Sequence, residues 1–303
     1  CLFVSLFSIL NILYSVYFNF TEDINSYIVT FLISFILGIF FYFTGRRYNK
    51  SISLSEQIAF VILTFIFIPL LISIPYFLSV YNISFLDSYF ESVSGVTATG
   101  FSVLNNIDDI DKPLLLWRSS SQWLGGLFFL VAIIGTIGSK QIKIKPAYLT
   151  HGGFIGRNFY NEFNSNFIKI VLIYFFTTLL IVFLLNLSGI RLLDSLHLAF
   201  TTISAGGFIP KEKLSLIINT DFQIIALLIS LLFPIFNFYL LFNIITNEFS
   251  LKKHQEDLHL GGLIILLITL SYFFIIPTND ILISCLSIIT SISTSGIVLN
   301  SPD

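Results

Sequence analysis

The chain has 303 residues, of which 55% are hydrophobic and only 11% are charged. Soluble globular proteins of this size do not need so much apolar content, so the composition indicates a membrane protein with several crossings. The formal net charge of −2 is too small to favour nucleic acid or an acidic substrate as a partner.

Seven segments are long and apolar enough to predict spanning helices, which need about 20 residues each. They are residues 1–18, 27–44, 54–80, 113–138, 166–187, 221–246 and 259–276. Three further apolar segments are too short to cross, and we interpret them as re-entrant helices. They are residues 86–96, 193–203 and 280–292. We expect Pro234 to kink the sixth span.

Lysine and arginine residues predict the orientation, because they accumulate in cytoplasmic loops. With a cytoplasmic N-terminus, ten of these residues lie inside and five outside. The inside set is Arg46, Arg47, Lys50, Lys140, Lys143, Lys145, Arg157, Lys169, Lys252 and Lys253. This topology places all three short segments on the outer side, where acidic residues also gather.

The three short segments belong to an internal repeat. The copies span residues 85–101, 192–208 and 281–297. In the first two copies an aspartate precedes a glycine by 13 residues, at Asp87 and Gly100 and at Asp194 and Gly207. The third copy keeps the glycine but has Ile283 in place of the acid. The repeat predicts a unit of helix, short helix, polar glycine loop and helix.

The glycine loops suggest a chemistry for the unit. Non-helical backbone at membrane depth is tolerated only where it is buried in protein or lines a water-filled cavity. Several such loops around one axis form a ring of carbonyl oxygens that can replace the hydration shell of a cation. Hydroxyl groups add oxygens of the same type at Thr97, Thr99, Ser204, Ser293 and Ser295. The loops hold no carboxylate, which favours a weakly held monovalent ion. The alternative is that the glycines serve close helix packing.

Three charged residues lie near the predicted loops. Asp87 and Asp194 begin the first two short helices, where we expect them to cap free amide groups and to influence the field at the pore mouth. Arg118 lies just inside a spanning segment. It is either a support for the filter or an anchor at the membrane interface.

Other polar or aromatic residues are interpreted structurally. Trp117 and Trp123 are expected to be interfacial anchors, and His197 a packed core histidine. The glycines after His151 do not follow a strand, as a phosphate-binding loop would require. The basic loop at 139–169 either docks a partner or only sets the orientation.

The motifs TATGF (97–101), LLLWRSSSQWLGG (114–126) and SAGGF (204–208) resemble the Trk/Ktr/HKT superfamily of potassium transporters. The most specific element is WRSxxxWLGG after the first glycine loop, and the resemblance covers the whole chain. The additional helix pair at residues 1–50 is similar to the TrkH-type branch.

The resemblance implies an all-α polytopic membrane fold, with repeated units of helix, pore helix, filter loop and helix around a central ion pore. It divides the chain into an N-terminal helix pair at 1–50 and pore repeats at 51–150, 151–255 and 256–303. The third repeat is incomplete and the fourth is missing, so we expect the sequence to be part of a longer gene product. The chain has no methionine even at position 1, which is consistent with that expectation.

The resemblance also implies the site. The filter, and with it the K+ sites, would comprise Thr97, Ala98, Thr99, Gly100, Phe101, Ser204, Ala205, Gly206, Gly207, Phe208, Ser293, Thr294, Ser295, Gly296 and Ile297. Glycine at the filter position of all three copies favours potassium over sodium. The family implies a homodimer in the bacterial cytoplasmic (inner) membrane that binds a cytosolic nucleotide-binding regulatory subunit.

These expectations predict the ion-conducting subunit of a potassium uptake system, with K+ as the transported ion and no bound cofactor. A second hypothesis is a secondary transporter with discontinuous helices that couples a solute to Na+ or H+. It would predict an inverted repeat, whereas these copies run in the same direction. A membrane enzyme is not expected, because the sequence has neither HExxH nor GxSxG.

Overall fold

The computed structural model describes residues 1–20, 23–46, 54–104, 106–137, 159–236, 255–274 and 281–299. These residues form ten α-helices and two single 3-10 turns, and they contain no strand. The helices are α1 (Leu2–Tyr17), α2 (Ile24–Arg46), α3 (Leu54–Phe77), α4 (Phe85–Val96), α5 (Lys112–Ile137), α6 (Phe159–Leu187), α7 (Leu192–Ser204), α8 (Asp221–Ile235), α9 (Gln255–Phe274) and α10 (Ile281–Ile292). The predicted all-α fold class is confirmed.

Four of the helices in the described ranges are long and apolar enough to cross a membrane, judged by length and composition. They are α2, α3, α6 and α9. Helices α1, α8 and α10 are apolar but shorter. The protein is therefore a multi-pass membrane protein, as its composition predicts.

Polar side chains within the apolar helices bond to their own backbone. Ser8 donates to the carbonyl of Val4 at 2.9 Å, and Thr30 donates to that of Ser26 at 2.8 Å. Asn11 donates from its side-chain amide to Phe7 at 3.0 Å. A hydroxyl bonded to a carbonyl one turn earlier keeps its donor satisfied where water is absent. The helices therefore tolerate these residues.

The predicted unit is visible in the packing order. Each short helix packs against the long helix that precedes it: α4 on α3, α7 on α6 and α10 on α9. The helix after each glycine loop then reaches the short helix of the next unit, since α5 packs on α7 and α8 on α10. The first unit therefore packs on the second in the same way as the second packs on the third. The proposed boundaries at 50 and 150 fall outside the described residues, and the one at 255 lies at the first residue of α9; all three stay predictions.

Helix α8 differs from the sixth predicted span. It ends at Ile235, one residue after Pro234, and Phe236 has an extended backbone with φ −84° and ψ 161°. Proline removes a helical hydrogen bond and clashes with the preceding turn, and the described part of this span has a break in its helical backbone beside Pro234. Residues 237–246 of the predicted span lie outside the described residues, as do His151 and most of the 139–169 loop.

The two tryptophans of α5 are core residues, and their prediction as interfacial anchors is wrong. Trp117 is 1% exposed and donates from its indole nitrogen to the Ile72 carbonyl at 2.9 Å. Trp123 is 5% exposed and donates to the Thr178 hydroxyl at 2.9 Å. The interfacial preference of tryptophan is overridden because the first half of α5 lies inside the protein, where each indole finds a partner.

Two glycines let α5 approach its neighbours closely. A Cβ on Gly125 would collide with the backbone carbonyl of Val96 at the end of α4. A Cβ on Gly126 would lie 2.5 Å from the Tyr174 hydroxyl and 2.9 Å from the Ser204 Cβ. The glycine pair of the WLGG motif therefore brings α5 against the ends of both short helices.

Replacing Gly125 with alanine is expected to destabilise the protein by about 1–3 kcal/mol, the usual cost of overpacking. Alanine at Gly261 in α9 should have little effect, because no atom of the described residues lies within 4 Å of its Cβ position. Thermal melting of the detergent-solubilised protein would compare the two variants. Equal melting temperatures would contradict the packing role of Gly125.

Candidate ion-binding site

The three glycine loops share one backbone conformation. We call residues 97–101 loop 1, residues 204–208 loop 2 and residues 293–297 loop 3. In each loop the glycine has a positive φ, and so does the residue two positions before it. The pairs are Ala98 (53°) with Gly100 (81°), Ala205 (56°) with Gly207 (78°), and Thr294 (59°) with Gly296 (61°). Positive φ is uncommon for residues other than glycine, so its recurrence at equivalent positions shows that the three loops have a common backbone conformation.

The loops also lie next to one another. A Cβ on Gly100 would collide with the carbonyl oxygen of Gly206 in loop 2. A Cβ on Gly207 would collide in the same way with the carbonyl oxygen of Ser295 in loop 3. Each carbonyl belongs to the residue just before the glycine of the next loop. The structure therefore brings the three predicted loops together, with backbone oxygens between them.

The loop hydroxyls are tied to the short helices. Thr97 donates to the Val93 carbonyl at 2.7 Å and Ser204 to the Phe200 carbonyl at 2.8 Å. Ser293 donates to the Thr290 carbonyl at 3.1 Å. The hydrogens are therefore directed at protein acceptors. The oxygen lone pairs of these hydroxyls remain able to accept a hydrogen bond or to bind a cation.

The two aspartates lie in the first turns of α4 and α7, but neither is the N-cap. Ser84 caps α4, with its hydroxyl accepting from the Asp87 amide at 3.2 Å and donating to the Asp87 carboxylate at 2.7 Å. The N-cap of α7 is Arg191, which makes no side-chain cap hydrogen bond. Burial raises the pKa of Asp194, and neighbouring basic side chains oppose that rise. A carboxylate at the third helical position still interacts favourably with the helix dipole.

Arg118 lies between the first two units. Its Nε is 2.6 Å from Glu91 Oε1, and both side chains are buried, at 4% and 0% exposure. Its Nη1 donates to the carbonyl of Ile209 at 3.3 Å, and its guanidinium carbon lies 3.8 Å from the centre of the Phe208 ring. This burial rules out the alternative of an interfacial anchor. Support for the filter therefore stays our interpretation of Arg118.

Glu91 is a residue that the repeat comparison missed. Both of its oxygens accept from the Ser102 hydroxyl at 3.0 Å, and one accepts from the Val103 amide at 3.1 Å. Glu91 thus holds the chain that leaves loop 1, while Arg118 compensates its charge. An acid within a short apolar segment was the available signal, because a buried carboxylate needs partners.

Gln122 was also missed, although it lies inside the WRSxxxWLGG motif. Its side-chain amide nitrogen donates to the Gly206 carbonyl, and its oxygen accepts from the Thr201 hydroxyl. The same oxygen accepts from the Phe208 amide at 3.2 Å. Gln122 therefore contacts loop 2 on both sides of Gly207. Its distance in sequence from these partners explains why no local pattern revealed it.

His197 is a core residue, as predicted. It is 6% exposed, and its Nδ1 lies 2.6 Å from the Ser119 hydroxyl on α5. The contact adds a polar link between α5 and α7 beside the Arg118 site. It gives the histidine a structural role in joining the first unit to the second.

Comparisons with known proteins agree with this geometry. The family model for TrkH, described as a cation transport protein, matches residues 24–294. An uncharacterised cation transporter of Methanocaldococcus jannaschii is 32% identical over 67% of this chain and 42% of its own length. The Trk system potassium uptake protein TrkG of Escherichia coli is 24% identical over 77% of this chain and 49% of its own.

The fold is similar to a solved structure. The crystal structure of the potassium transporter TrkH from Vibrio parahaemolyticus matches 99% of this chain with a TM-score of 0.78 and 20% identity. The chain spans 64% of that protein, and about half or less of the two relatives above. The family match extends from α2 to Thr294, so it includes loops 1 and 2 and ends two residues before Gly296 of loop 3. The chain therefore belongs to the TrkH family of cation transport proteins.

Proposed function

We propose that the chain is the ion-conducting part of a potassium uptake system and that loops 1, 2 and 3 form its selectivity filter. The observation that carries the proposal is the meeting of three equivalent loops, with the Gly206 and Ser295 carbonyls beside the glycines of the preceding loops. Family membership supports cation transport. The names of relatives such as the potassium uptake protein TrkG support potassium as the cation.

The mechanism follows from the chemistry of the loops. Backbone carbonyls, with the hydroxyl oxygens beside them, substitute for the water around K+. Because the loops hold no carboxylate, binding stays weak enough for the ion to leave. A membrane potential that is negative inside contributes about 2.3 kcal/mol per charge for each 100 mV and drives the ion inward. The protein's part is selective passage, with no bond made or broken.

The same proposal includes the orientation of the protein in the membrane, its location and its partners. The distribution of lysine and arginine supports a cytoplasmic N-terminus. The resemblance to the superfamily supports the cytoplasmic membrane of a bacterium as the location. The resemblance of the motifs to the superfamily supports a homodimer that binds a cytosolic nucleotide-binding regulatory subunit. The segment at 139–169, whose last residues from Phe159 onward belong to α6, carries several basic residues and is our candidate for that contact.

Complementation tests the proposal. The complete gene, expressed with its regulatory subunit in a bacterium that lacks potassium uptake, is expected to restore growth at low external potassium. Uptake should saturate with K+ and should be weakly inhibited by Na+. Growth that is rescued by sodium or by an organic solute, but not by potassium, would contradict the proposal.

A further inference from the structure

Loops 1 and 3 are each braced from within by a pair of hydroxyl groups. In loop 1 the Thr97 and Thr99 hydroxyl oxygens are 2.7 Å apart. In loop 3 the Ser293 hydroxyl is 2.9 Å from that of Ser295. In both loops these residues lie three positions and one position before the glycine. The pair connects the end of the short helix to the residue whose carbonyl precedes the glycine.

Loop 2 cannot form this pair. Its equivalent positions are Ser204 and Gly206, and glycine has no side chain with which to complete the pair. The space that a Cβ on Gly206 would need is occupied by the side-chain amide of Gln122, whose carbon and both polar atoms would lie within 2.6 Å of that Cβ. Loop 2 is therefore held by a side chain from α5, whereas loops 1 and 3 are held by a hydroxyl pair within the loop.

The hydrogen bonds fix the Gln122 amide in one orientation. Its oxygen accepts from the Thr201 hydroxyl and the Phe208 amide, and its nitrogen donates to the Gly206 carbonyl. A flipped amide would place its oxygen against that carbonyl and its hydrogens against the Phe208 amide hydrogen. Because Gln122 is fully buried, the mismatched groups could not form hydrogen bonds with water instead. The orientation of the Gly206 carbonyl is thus determined by Gln122.

We propose that Gln122 is a positioning residue for cation selection: it holds the Gly206 carbonyl of loop 2 in the direction and at the field strength that favour one monovalent cation over another. This inference rests on the proposed function. Selectivity in a carbonyl filter depends on the position and the dipole strength of its oxygens. A hydrogen bond from Gln122 fixes the position of the oxygen, and its partial positive hydrogen lowers the net negative potential that the oxygen offers to a cation. Since the same carbonyl lies beside Gly100, its displacement would alter the contact between loops 1 and 2 as well.

The inference is tested by the ratio of K+ to Na+ uptake, which does not depend on how much protein reaches the membrane. Gln122→Glu keeps the shape but places a carboxylate oxygen against the Gly206 carbonyl. It is expected to lower the ratio by about tenfold or more, because a donor becomes an acceptor at a buried carbonyl. The variant is made in the complete protein with its regulatory subunit, and its amount in the membrane is measured in parallel.

If Gln122→Glu does not fold, two milder variants test the role of Gln122 in cation selection. Thr201→Val removes one donor to Gln122 and is expected to lower the ratio about threefold to tenfold. Thr202→Val is the matched control: Thr202 is equally buried and on the same helix, but it donates to the Ala199 carbonyl and not to Gln122. It should leave the ratio within about twofold of the wild type, since its hydroxyl does not touch Gln122.

The outcomes are distinct. An unchanged ratio in Thr201→Val, or an equal change in Thr202→Val, would overturn the role of Gln122 while leaving the proposed function intact. A wild-type protein that transports neither K+ nor Na+ would overturn the proposed function, and the inference with it. A fall in the total rate at a constant ratio would indicate a merely structural role and would also overturn the inference.

Discussion

Replacing Gly207 with alanine is expected to reduce cation uptake by at least about fivefold, because overpacking costs about 1–3 kcal/mol and 1.4 kcal/mol corresponds to a factor of ten. Two effects combine at this position. The φ of 78° is unfavourable for any residue with a Cβ, and the added carbon would collide with the Ser295 carbonyl in loop 3. We propose that this carbonyl faces the ion, so its displacement would alter the geometry of the filter.

Gly189 provides the matched control. It lies in the turn between α6 and α7 with φ 93°, and among the described residues only the Gln223 side chain, at 3.9 Å, lies within 4 Å of its Cβ position. Alanine there suffers the backbone strain, about 1–2 kcal/mol, without a collision. Uptake of a K+ tracer at equal protein levels should therefore stay near the wild-type value. If Gly189→Ala and Gly207→Ala lower uptake equally, backbone strain alone explains the effect and the contact between the loops is irrelevant.

The loops could be predicted because their signals are local. Glycine at a fixed spacing after a short apolar segment predicts a turn with positive φ, and the structure has that φ at Gly100, Gly207 and Gly296. The glycines that recur in the sequence also have the same sign of φ in the structure. The positive φ of Ala98, Ala205 and Thr294 was not predictable in this way, because the surrounding loop imposes it on residues that do not favour it.

Two supports of the loops, Glu91 and Gln122, were missed because their partners are distant in sequence. Glu91 has Leu198 at the equivalent position of the second copy, so a search for repeated residues passes over it. Gln122 and Trp117 were visible inside a motif, but their partners at Gly206 and Ile72 are known only once the helices have packed. Tertiary packing also overrides the preference of tryptophan for the membrane interface, which is why Trp117 was predicted there and is instead buried.

The buried pair of Glu91 and Arg118 is expected to be the most sensitive support of the site. Arg118→Met should lower the free energy of unfolding by about 3–5 kcal/mol, because it leaves the Glu91 carboxylate buried without a compensating charge. Glu91→Gln should cost less, since the amide oxygen can still accept from Ser102 and Val103. Thermal melting in detergent, together with K+ uptake, would measure both effects.

The double variant separates the pair from its parts. Glu91→Gln with Arg118→Met removes both charges, so it should be more stable than Arg118→Met alone, by more than about 1 kcal/mol of coupling. The exposed pair of Asp108 and Lys211, 3.1 Å apart and 37% and 43% exposed, is the control. Its removal should change stability by no more than about 1 kcal/mol. Additive losses in the double variant would mean that the two charges do not stabilise each other. Arg118 would then act on loop 2 only through Phe208 and Ile209.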